Sequence, residues 1–469
     1  MSMKALFKFS FILLLFHASV ANAVLIVTNI AEGCMADHSL FIKSDGSLWG
    51  MGNNNEGELG DGTSGVLNWA YRSIYSPQEI LTNGVTAVAA GGMHSLILKS
   101  DGSLWATGYN ESGQLGDSTI TGTNRPDEII SSGVTAIAAG EDHSLFLKSD
   151  GSLWAMGFNA DGQLGDGTYD DTNQPQEIVV SGVTAIAAGS VHSLFLKSDG
   201  SLWAMGCNEY GQLGDGTFNS TNQPEEIVTS NVIAIAAGGN YDGSGHSLFI
   251  KSDGSLWAMG SNYEGQLGDG TTNSGNYVTN LPEEIVTSNV VAIAAGAWFS
   301  LFLKSDGSLW AMGNNADRQL GDGAFTSSLQ PVEIVDSNVV AIAAGADHSL
   351  FLKSDGSLWG MGDDGAGELG DGFSLVQAPY PGRPERIVPL PEPMLEQTIF
   401  SNSNLQFTAT CPFGGNFYLL AGANLSQPFS QWTPVATNVI NNRMLDIFSA
   451  TLTNVVNSGG QQFYILQSR

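Results

Sequence analysis

Basic residues are scarce in this sequence of 469 residues, and their scarcity excludes one class of partner. Lysine and arginine together number 16 against 46 aspartates and glutamates, a formal net charge of −30 at pH 7. Proteins that bind nucleic acid present a basic face to the phosphates, because phosphate neutralisation supplies much of the affinity. We therefore expect no nucleic-acid partner, and a basic protein surface is an easier partner for this chain.

Cysteine is also rare, and the three that occur follow no known pattern. Cys34, Cys207 and Cys411 are odd in number, and their spacing matches no zinc site. Buried free thiols are the expectation. A Cys34–Cys207 bridge is left as the alternative, since it would require proximity that spacing does not show.

Catalytic and nucleotide-binding motifs are missing as well. The sequence contains no Walker loop, no H-E-x-x-H and no G-x-S-x-G. The Gly-Asp-Gly loops lack the ligand ladder of an EF-hand, so calcium is not predicted. We therefore expect a non-enzymatic protein with no cofactor and no metal.

Long hydrophobic runs are confined to the N-terminus. Residues 1–23 combine Lys4 and Lys8, an apolar core and the small-residue site Ala21-Asn22-Ala23, which is typical of a secretory signal peptide. The apolar core is too short to span a bilayer comfortably. We expect an exported monomer, secreted, periplasmic or associated with the cell surface, without membrane insertion after signal cleavage.

One phrase recurs seven times and organises the rest of the chain. It reads HSLFLKSDGSLWAMG at His143–Gly157, and successive copies are about fifty residues apart, a period that indicates a repeat architecture. Its tryptophans are Trp49, Trp105, Trp154, Trp203, Trp257, Trp310 and Trp359.

Each repeat predicts four antiparallel strands. His143–Lys148 and Ser152–Met156 flank an Asp-Gly turn and form a hairpin. Both strands are apolar on both faces, which requires a sheet covered on both sides. Val134–Gly140 has small side chains that suit a crowded central axis, and Gln174–Val179 carries its proline near the start. Seven such units predict an all-β fold, a seven-bladed β-propeller of four-stranded antiparallel blades.

Domain boundaries follow from where the repeat starts and stops. We predict a signal peptide at 1–23, the propeller at 24–388, a stiff proline-rich linker at 389–394 and a C-terminal β module at 395–469. Five segments of the module alternate with period two, which predicts a small β-sandwich-like fold. Ring closure is left open: the last strand, near 384–388, either completes the first blade or closes its own unit.

The repeats resemble the regulator of chromosome condensation repeat family. N-x-x-G-Q-L-G-x-G at Asn159–Gly167, then P-x-x-I/V and A-x-A-A-G-x-x-H-S, recur in phase from about Val24 to Val388. The resemblance implies a seven-bladed propeller. The founder of the family exchanges guanine nucleotide on the small GTPase Ran and binds chromatin, and bacterial relatives include secreted propellers that inhibit β-lactamases by protein–protein contact. No exchange-factor residue is transferred to this chain.

Residues present in nearly every unit are interpreted as structural. The tryptophans are expected to pack between blades. The histidine that opens the phrase is expected to hydrogen-bond a neighbouring strand rather than to form a metal ring or a nucleophile pair. The histidines are His38, His94, His143, His192, His246 and His348.

Departures from the repeat mark the candidate binding site. In a four-stranded meander, the first and third loops of each unit emerge at one rim, and the irregular residues gather there. Aromatic residues and arginine dominate interface hot spots, and repeated aspartates add an acidic field. Exposed-loop drift is the alternative, with Phe299 filling a vacated histidine pocket. The candidates are Trp69, Tyr71, Arg72, Tyr75, Tyr241, Trp298, Phe299 and Arg318.

These patterns favour an exported scaffold that binds a partner protein through its variable rim. A regulator of a small GTPase that acts like the founder of the family is the alternative, and a structural cell-surface protein is a second. An enzyme with a site at the rim is disfavoured because no catalytic constellation is found.

Overall fold

The computed structural model describes residues 26–31, 33–65, 72–272, 279–372 and 382–387, and the backbone of six strands between 394 and 468. The chain divides into two compact units, Leu25–Val388 and a second that comprises residues 1–24 and 389–469. Each is described by itself. The described residues include no helix that is long and apolar enough to cross a membrane.

Seven four-stranded antiparallel sheets build the larger unit, as predicted, and we number them as blades 1 to 7 in chain order. Blade 1 comprises β1 (Val27–Ala31), β2 (His38–Lys43), β3 (Leu48–Asn53) and β4 (Ser73–Leu81). Blade 2 comprises β5 (Val85–Ala90), β6 (His94–Lys99), β7 (Leu104–Gly108) and β8 (Thr123–Ile130). Blade 3 comprises β9 (Val134–Ala139), β10 (His143–Lys148), β11 (Leu153–Gly157) and β12 (Thr172–Val179).

The remaining blades repeat the same order. Blade 4 comprises β13 (Val183–Ala188), β14 (His192–Lys197), β15 (Leu202–Gly206) and β16 (Thr221–Val228). Blade 5 comprises β17 (Val232–Gly239), β18 (Gly245–Lys251), β19 (Leu256–Gly260) and β20 (Thr279–Val286). Blade 6 comprises β21 (Val290–Ala295), β22 (Phe299–Lys304), β23 (Leu309–Gly313) and β24 (Ser328–Val335). Blade 7 comprises β25 (Val339–Ala344), β26 (His348–Lys353), β27 (Leu358–Gly362) and β28 (Glu385–Ile387).

The first strand of each blade lies innermost. These strands line a central cavity of about 270 Å³, and the cavity wall is made largely of alanine and isoleucine, such as Ile137 and Ala138. Small side chains are needed there because seven strands converge on one axis. The predicted position of the small-residue strand is therefore confirmed.

Core side chains of each blade alternate between the two neighbouring blades. On β10 and β11, Phe146 packs with half-buried Trp154 into the core formed with blade 2, and the two rings stack at 6.1 Å. Leu145 and Leu153 point the other way, into the core shared with blade 4. The prediction that both faces are covered, and that tryptophan packs between blades, is confirmed.

The hairpin between the second and third strands is fixed by a short polar chain. In blade 3, Trp154 donates from Nε1 to Oγ of Ser152 at 2.9 Å, and that hydroxyl donates to Asp150 at 2.7 Å. Nζ of Lys148 lies 3.8 Å above the centroid of the Trp154 ring. All seven blades repeat the tryptophan–serine bond and the lysine stack.

The histidines link the blades in series. Nε2 of His143 lies 2.9 Å from Oγ of Ser193 in blade 4, and that hydroxyl donates to the carbonyl of Gln163. Because the hydroxyl proton is already used, the histidine donates from Nε2. Five further histidines make the same bond at 2.8–3.0 Å. The structural interpretation is confirmed.

Each unit closes its own blade, which settles the question that the sequence left open. The strands of blade 1 and of blade 7 each form a separate four-stranded sheet. Blades 7 and 1 share a hydrophobic core, in which Phe41 packs with Leu350. Backbone hydrogen bonds join them as well: Ala346 donates to the carbonyl of Ala36 at 3.1 Å, and Gly372 donates to that of Tyr75 at 2.7 Å. His348 adds its bond to Ser39 at 3.0 Å.

The described residues of the smaller unit form six strands in two three-stranded antiparallel sheets. One sheet comprises β29 (Met394–Ser401), β30 (Asn404–Cys411) and β33 (Asp446–Leu452). The other comprises β31 (Asn416–Gly422), β32 (Thr433–Val439) and β34 (Phe463–Ser468). The sequence did not predict β29, because its apolar residues do not alternate regularly. The predicted linker thus overlaps a strand at Met394, and its other residues lie outside the described part of the chain.

Candidate functional site

Two loops of each blade lie at the same rim of the propeller: the loop between the first and second strands and the loop between the third and fourth strands. We call this rim the loop rim. At blade 3, Phe158 donates from its backbone to the carbonyl of Asp142 at 2.8 Å. Gln114 of blade 2 donates from Nε2 to Oδ1 of Asp142 at 2.8 Å. The opposite rim, which carries the Asp-Gly hairpins and the links between blades, is the hairpin rim.

Tyr241 and Trp298 lie close to the same loop of blade 1. Tyr241 is 59% exposed and stands on the long loop of blade 5. Burial, together with the charges of Asp37 and Glu141, raises its pKa to about 12. Trp298 is half-buried and packs on a small apolar cluster that contains Cys34. The sequence placed these two aromatic residues at one rim, and the structure brings both near the loop that contains Cys34 and Asp37.

The other candidates have different surroundings. Arg72 and Tyr75 are half-buried, and the Tyr75 carbonyl is used in closing the ring. Arg318 stacks 3.6 Å above the ring of Phe325, in the loop between β23 and β24 of blade 6. Trp69 and Tyr71 lie outside the described residues.

The prediction that Phe299 is a binding residue is wrong. Its side chain is 0% exposed, and it stands in the strand register of the histidine, paired with Gly313 as His143 is paired with Gly157. It packs in the core between blades 6 and 7. The alternative interpretation, that it fills the vacated histidine pocket, is correct.

Two tyrosines that the sequence analysis missed extend the aromatic surface. The ring centroids of Tyr210 and Tyr263 lie 5.9 Å apart at 74°, and those of Tyr263 and Trp298 lie 6.3 Å apart at 67°. We call these three residues the aromatic row. It follows the loop rim across blades 4, 5 and 6, and Tyr263 is 47% exposed.

Carboxyl groups near the centre of the loop rim are held partly away from water. Burial and the neighbouring Asp142 raise the pKa of Glu141 to about 7. Burial, with Asp317 and Asp363 as the next causes, raises the pKa of Asp347 to about 6. A crowded set of acids such as this gains from the approach of a cation.

The repeated aspartates of the loop rim are less free than the predicted acidic field implied. Oδ1 of Asp166 accepts from Nδ2 of Asn159 at 3.2 Å and from the backbone N–H of Thr168 at 2.8 Å. These bonds hold the loop, which explains why the aspartate recurs. Within the described ranges, no group of three or more His, Cys, Asp and Glu side chains is arranged to hold a metal.

The two described cysteines, Cys34 and Cys207, are buried free thiols, as expected, rather than a disulfide. Burial, and then the charge of Glu141, raises the pKa of Cys34 well above its usual range. A thiol in that state is a poor nucleophile, so neither geometry nor protonation suggests a cysteine active site.

Family models cover most of the larger unit. The model described as "RCC1-like domain" matches residues 16–242. Two models described as "Regulator of chromosome condensation (RCC1) repeat" match residues 253–303 and 306–352, and residues 232–266, 290–319 and 339–368.

Individual relatives match over short stretches. Protein RCC2 of Homo sapiens is 38% identical over 93 residues, which is 19% of this chain and 16% of that protein. Protein RCC2 homolog of Danio rerio is 34% identical over 98 residues, 20% of this chain and 18% of that protein. The chain thus spans less than a fifth of the length of these curated relatives.

Solved structures match over the propeller as a whole. Human WBSCR16 has a TM-score of 0.59 at 26% identity, over 70% of this chain and 86% of that chain. Prp20p from Saccharomyces cerevisiae has a TM-score of 0.64 at 22% identity, over 74% of this chain and 87% of that chain. This second likeness shows the fold alone.

Proposed function

Because this chain belongs to the regulator of chromosome condensation repeat family, we propose that it is a non-enzymatic protein-binding propeller that holds its partner at the loop rim. The single observation that carries the proposal is the aromatic surface formed by Tyr241 and the aromatic row. Exposed tyrosine and tryptophan supply large contact area at low entropic cost, and they dominate interface energetics.

Protein binding is also described for proteins of similar structure. The structure of Prp20p is described together with its binding to Gsp1p and histones, and yeast RCC1 (Prp20) has been solved bound to Kap60. The acids at the loop rim, Glu141 and Asp347 among them, favour a basic surface on the partner of this chain.

We also propose that the protein acts outside the cytoplasm. Support comes from residues 1–23, where Lys4 and Lys8 precede an apolar stretch and an A-x-A site. Fusion of residues 1–30 to a reporter that is active only after export tests this part of the proposal. A reporter that stays inactive would contradict it.

Affinity capture tests the binding role. The full-length protein, immobilised, is exposed to culture fluid and envelope fractions, and captured proteins are compared between wild type and Tyr241→Ala with Trp298→Ala. We expect a discrete partner that the double variant loses. Val180→Ser is the matched control, because Val180 is 75% exposed on the link between blades 3 and 4 at the hairpin rim. Equal capture by all three proteins would refute the role of the loop rim.

A regulator of a small GTPase is the second candidate, and the observation that favours it is the likeness to Prp20p, which binds Gsp1p. A nucleotide-release assay distinguishes the two roles. Faster release of labelled guanine nucleotide from a small GTPase would support the second candidate, and release that stays at the basal rate would leave only the binding role.

A further inference from the structure

Cations cover aromatic rings throughout this propeller. In all seven blades, a lysine Nζ lies 3.4–4.4 Å from the centroid of the signature tryptophan. On the loop rim, the guanidinium of Arg318 lies 3.6 Å from the centroid of Phe325, which is 56% exposed. The negative face of an aromatic ring attracts a cation, and the chain satisfies that attraction internally at eight rings.

The aromatic row is different. Among the described residues, no lysine or arginine lies over Tyr210, Tyr263 or Trp298. Tyr263, at the centre of the row, is nevertheless 47% exposed. The most exposed ring of the aromatic row therefore has no lysine or arginine of the described chain over its face.

Carboxylates flank the row. Glu209 is exposed and directly precedes Tyr210, and Asp242 is exposed on the long loop of blade 5. Both lie close enough to Tyr210 to affect its hydroxyl electrostatically. Negative charge beside uncovered aromatic faces attracts a cation in two ways, through the ring quadrupole and through the carboxylates.

We propose that the aromatic row binds an arginine side chain of the partner protein. The guanidinium stacks on the row at Tyr263, and its N–H groups donate to the carboxylates of Glu209 and Asp242. Arginine fits better than lysine because its flat guanidinium both stacks on rings and donates two parallel hydrogen bonds to a carboxylate. This inference rests on the proposed function, since it identifies the chemistry of the partner at the same rim.

Fluorescence anisotropy with defined peptides tests the inference. The full-length protein is titrated against three labelled nine-residue Gly-Ser peptides that carry three arginines, three lysines or three glutamines. We expect the arginine peptide to bind most tightly, the lysine peptide more weakly and the glutamine peptide not at all. Binding of the arginine peptide should weaken as salt is raised, because part of the attraction is electrostatic.

Variants then locate the site. Tyr263→Leu keeps apolar bulk but removes the ring, and we expect roughly tenfold weaker binding of the arginine peptide. Glu209→Gln with Asp242→Asn should flatten the salt dependence. Tyr169→Leu is the matched control, since Tyr169 is a 53% exposed tyrosine on the loop rim of blade 3, outside the row. It should bind the peptide as the wild type does.

The outcomes separate the inference from the proposed function. Unchanged peptide binding in Tyr263→Leu, or equal binding of all three peptides, would overturn the inference. If the peptides fail to bind while partner capture still requires Trp298, the inference falls and the proposed function stands. If neither capture nor peptide binding depends on the loop rim, both fall.

Discussion

Glu368 in blade 7 replaces a glutamine that other blades use as a hydrogen-bond donor. Gln114 donates from Nε2 to Asp142 at 2.8 Å, and Gln319 donates to Asp347 at 3.0 Å. The aspartate at the corresponding place in blade 1 is Asp37, whose charge contributes to the raised pKa of Glu368, so we expect the two carboxyls of blades 7 and 1 to form a pair of the same kind. Such a pair can form a hydrogen bond only while it retains a proton.

The protonation of Glu368 has a calculable effect on stability. Its pKa is raised from 4.5 to about 8, with burial as the largest cause; the charges of Asp363 and Asp37 contribute to the rise and His348 opposes it. Between pH 4.5 and 8 the folded protein holds a proton that the unfolded chain has lost. The free energy of unfolding therefore falls as pH rises through this window. The pKa differs by about 3.5 between the folded and unfolded states. At about 1.36 kcal/mol for one pKa unit, the free energy of unfolding changes by about 5 kcal/mol in total.

Substitution of Glu368 by glutamine should remove this pH dependence. The amide of Glu368→Gln can donate to Asp37 at every pH, as Gln114 does to Asp142. We expect no gain in stability below pH 4, a gain of about 3 kcal/mol at pH 7 and about 5 kcal/mol at pH 9. Urea unfolding of the full-length protein, followed by tryptophan fluorescence at several pH values, measures the difference.

The reverse substitution is the matched control. Gln319→Glu places a carboxyl of blade 6 opposite Asp347 of blade 7. This variant should lose the same amount of stability between pH 4.5 and 8. Curves for wild type and Glu368→Gln that run parallel across this window would refute the reasoning. Such a result would mean that Glu368 ionises without cost in the folded protein.

Further predictions concern the parts that every blade repeats. His143→Phe introduces the residue that blade 6 already carries, and we expect a loss of about 1 kcal/mol for one hydrogen bond; His143→Ala also leaves a cavity and should cost about 2–4 kcal/mol in urea unfolding. Burial lowers the pKa of His143 to about 3. The contribution of the neutral histidine to the free energy of unfolding is therefore lost as pH falls from 6.5 towards 3. Because phenylalanine does not titrate, His143→Phe should unfold at a lower pH than the wild type in an acid titration. Trp154→Ala should cost about 3–5 kcal/mol by the same urea assay. Lys148→Met should cost at most about 1 kcal/mol, because its stack on Trp154 is near the surface.

The blade architecture could be predicted from the sequence because every unit makes the same contacts. The period near fifty residues indicates a repeat, and the Asp-Gly turn indicates a hairpin in each unit. The two apolar faces of that hairpin then require a blade packed between like blades. The partner of each histidine could not be predicted. His143 bonds Ser193, fifty residues away, and sequence periodicity shows which way a side chain points but not what it meets in the next blade.

The binding surface was only partly predictable. Tyr241 stands on an inserted loop, which is visible in the sequence as a break in the repeat. Tyr210 and Tyr263 occupy loop positions that differ by one place between units, and the residue type at these positions varies from unit to unit, so no pattern distinguishes them. Phe299 was assigned to the binding surface although the repeat indicates otherwise. It occupies the position of the signature histidine, and that histidine is structural in the other units.

The two rims differ in how far their residues are free to change. At the hairpin rim, aspartate, serine, tryptophan and lysine form one linked chain in every blade, and a change in any of them leaves the others without a partner. At the loop rim, the asparagine and aspartate that hold each loop, such as Asn159 and Asp166, are fixed in this way, and so is Gln114 through its bond to Asp142. The exposed positions of these loops, such as that of Tyr263, carry different kinds of residue from one unit to the next. A propeller of this kind can therefore acquire a binding surface on the loop rim without loss of stability, which is the physical reason to look for the partner there.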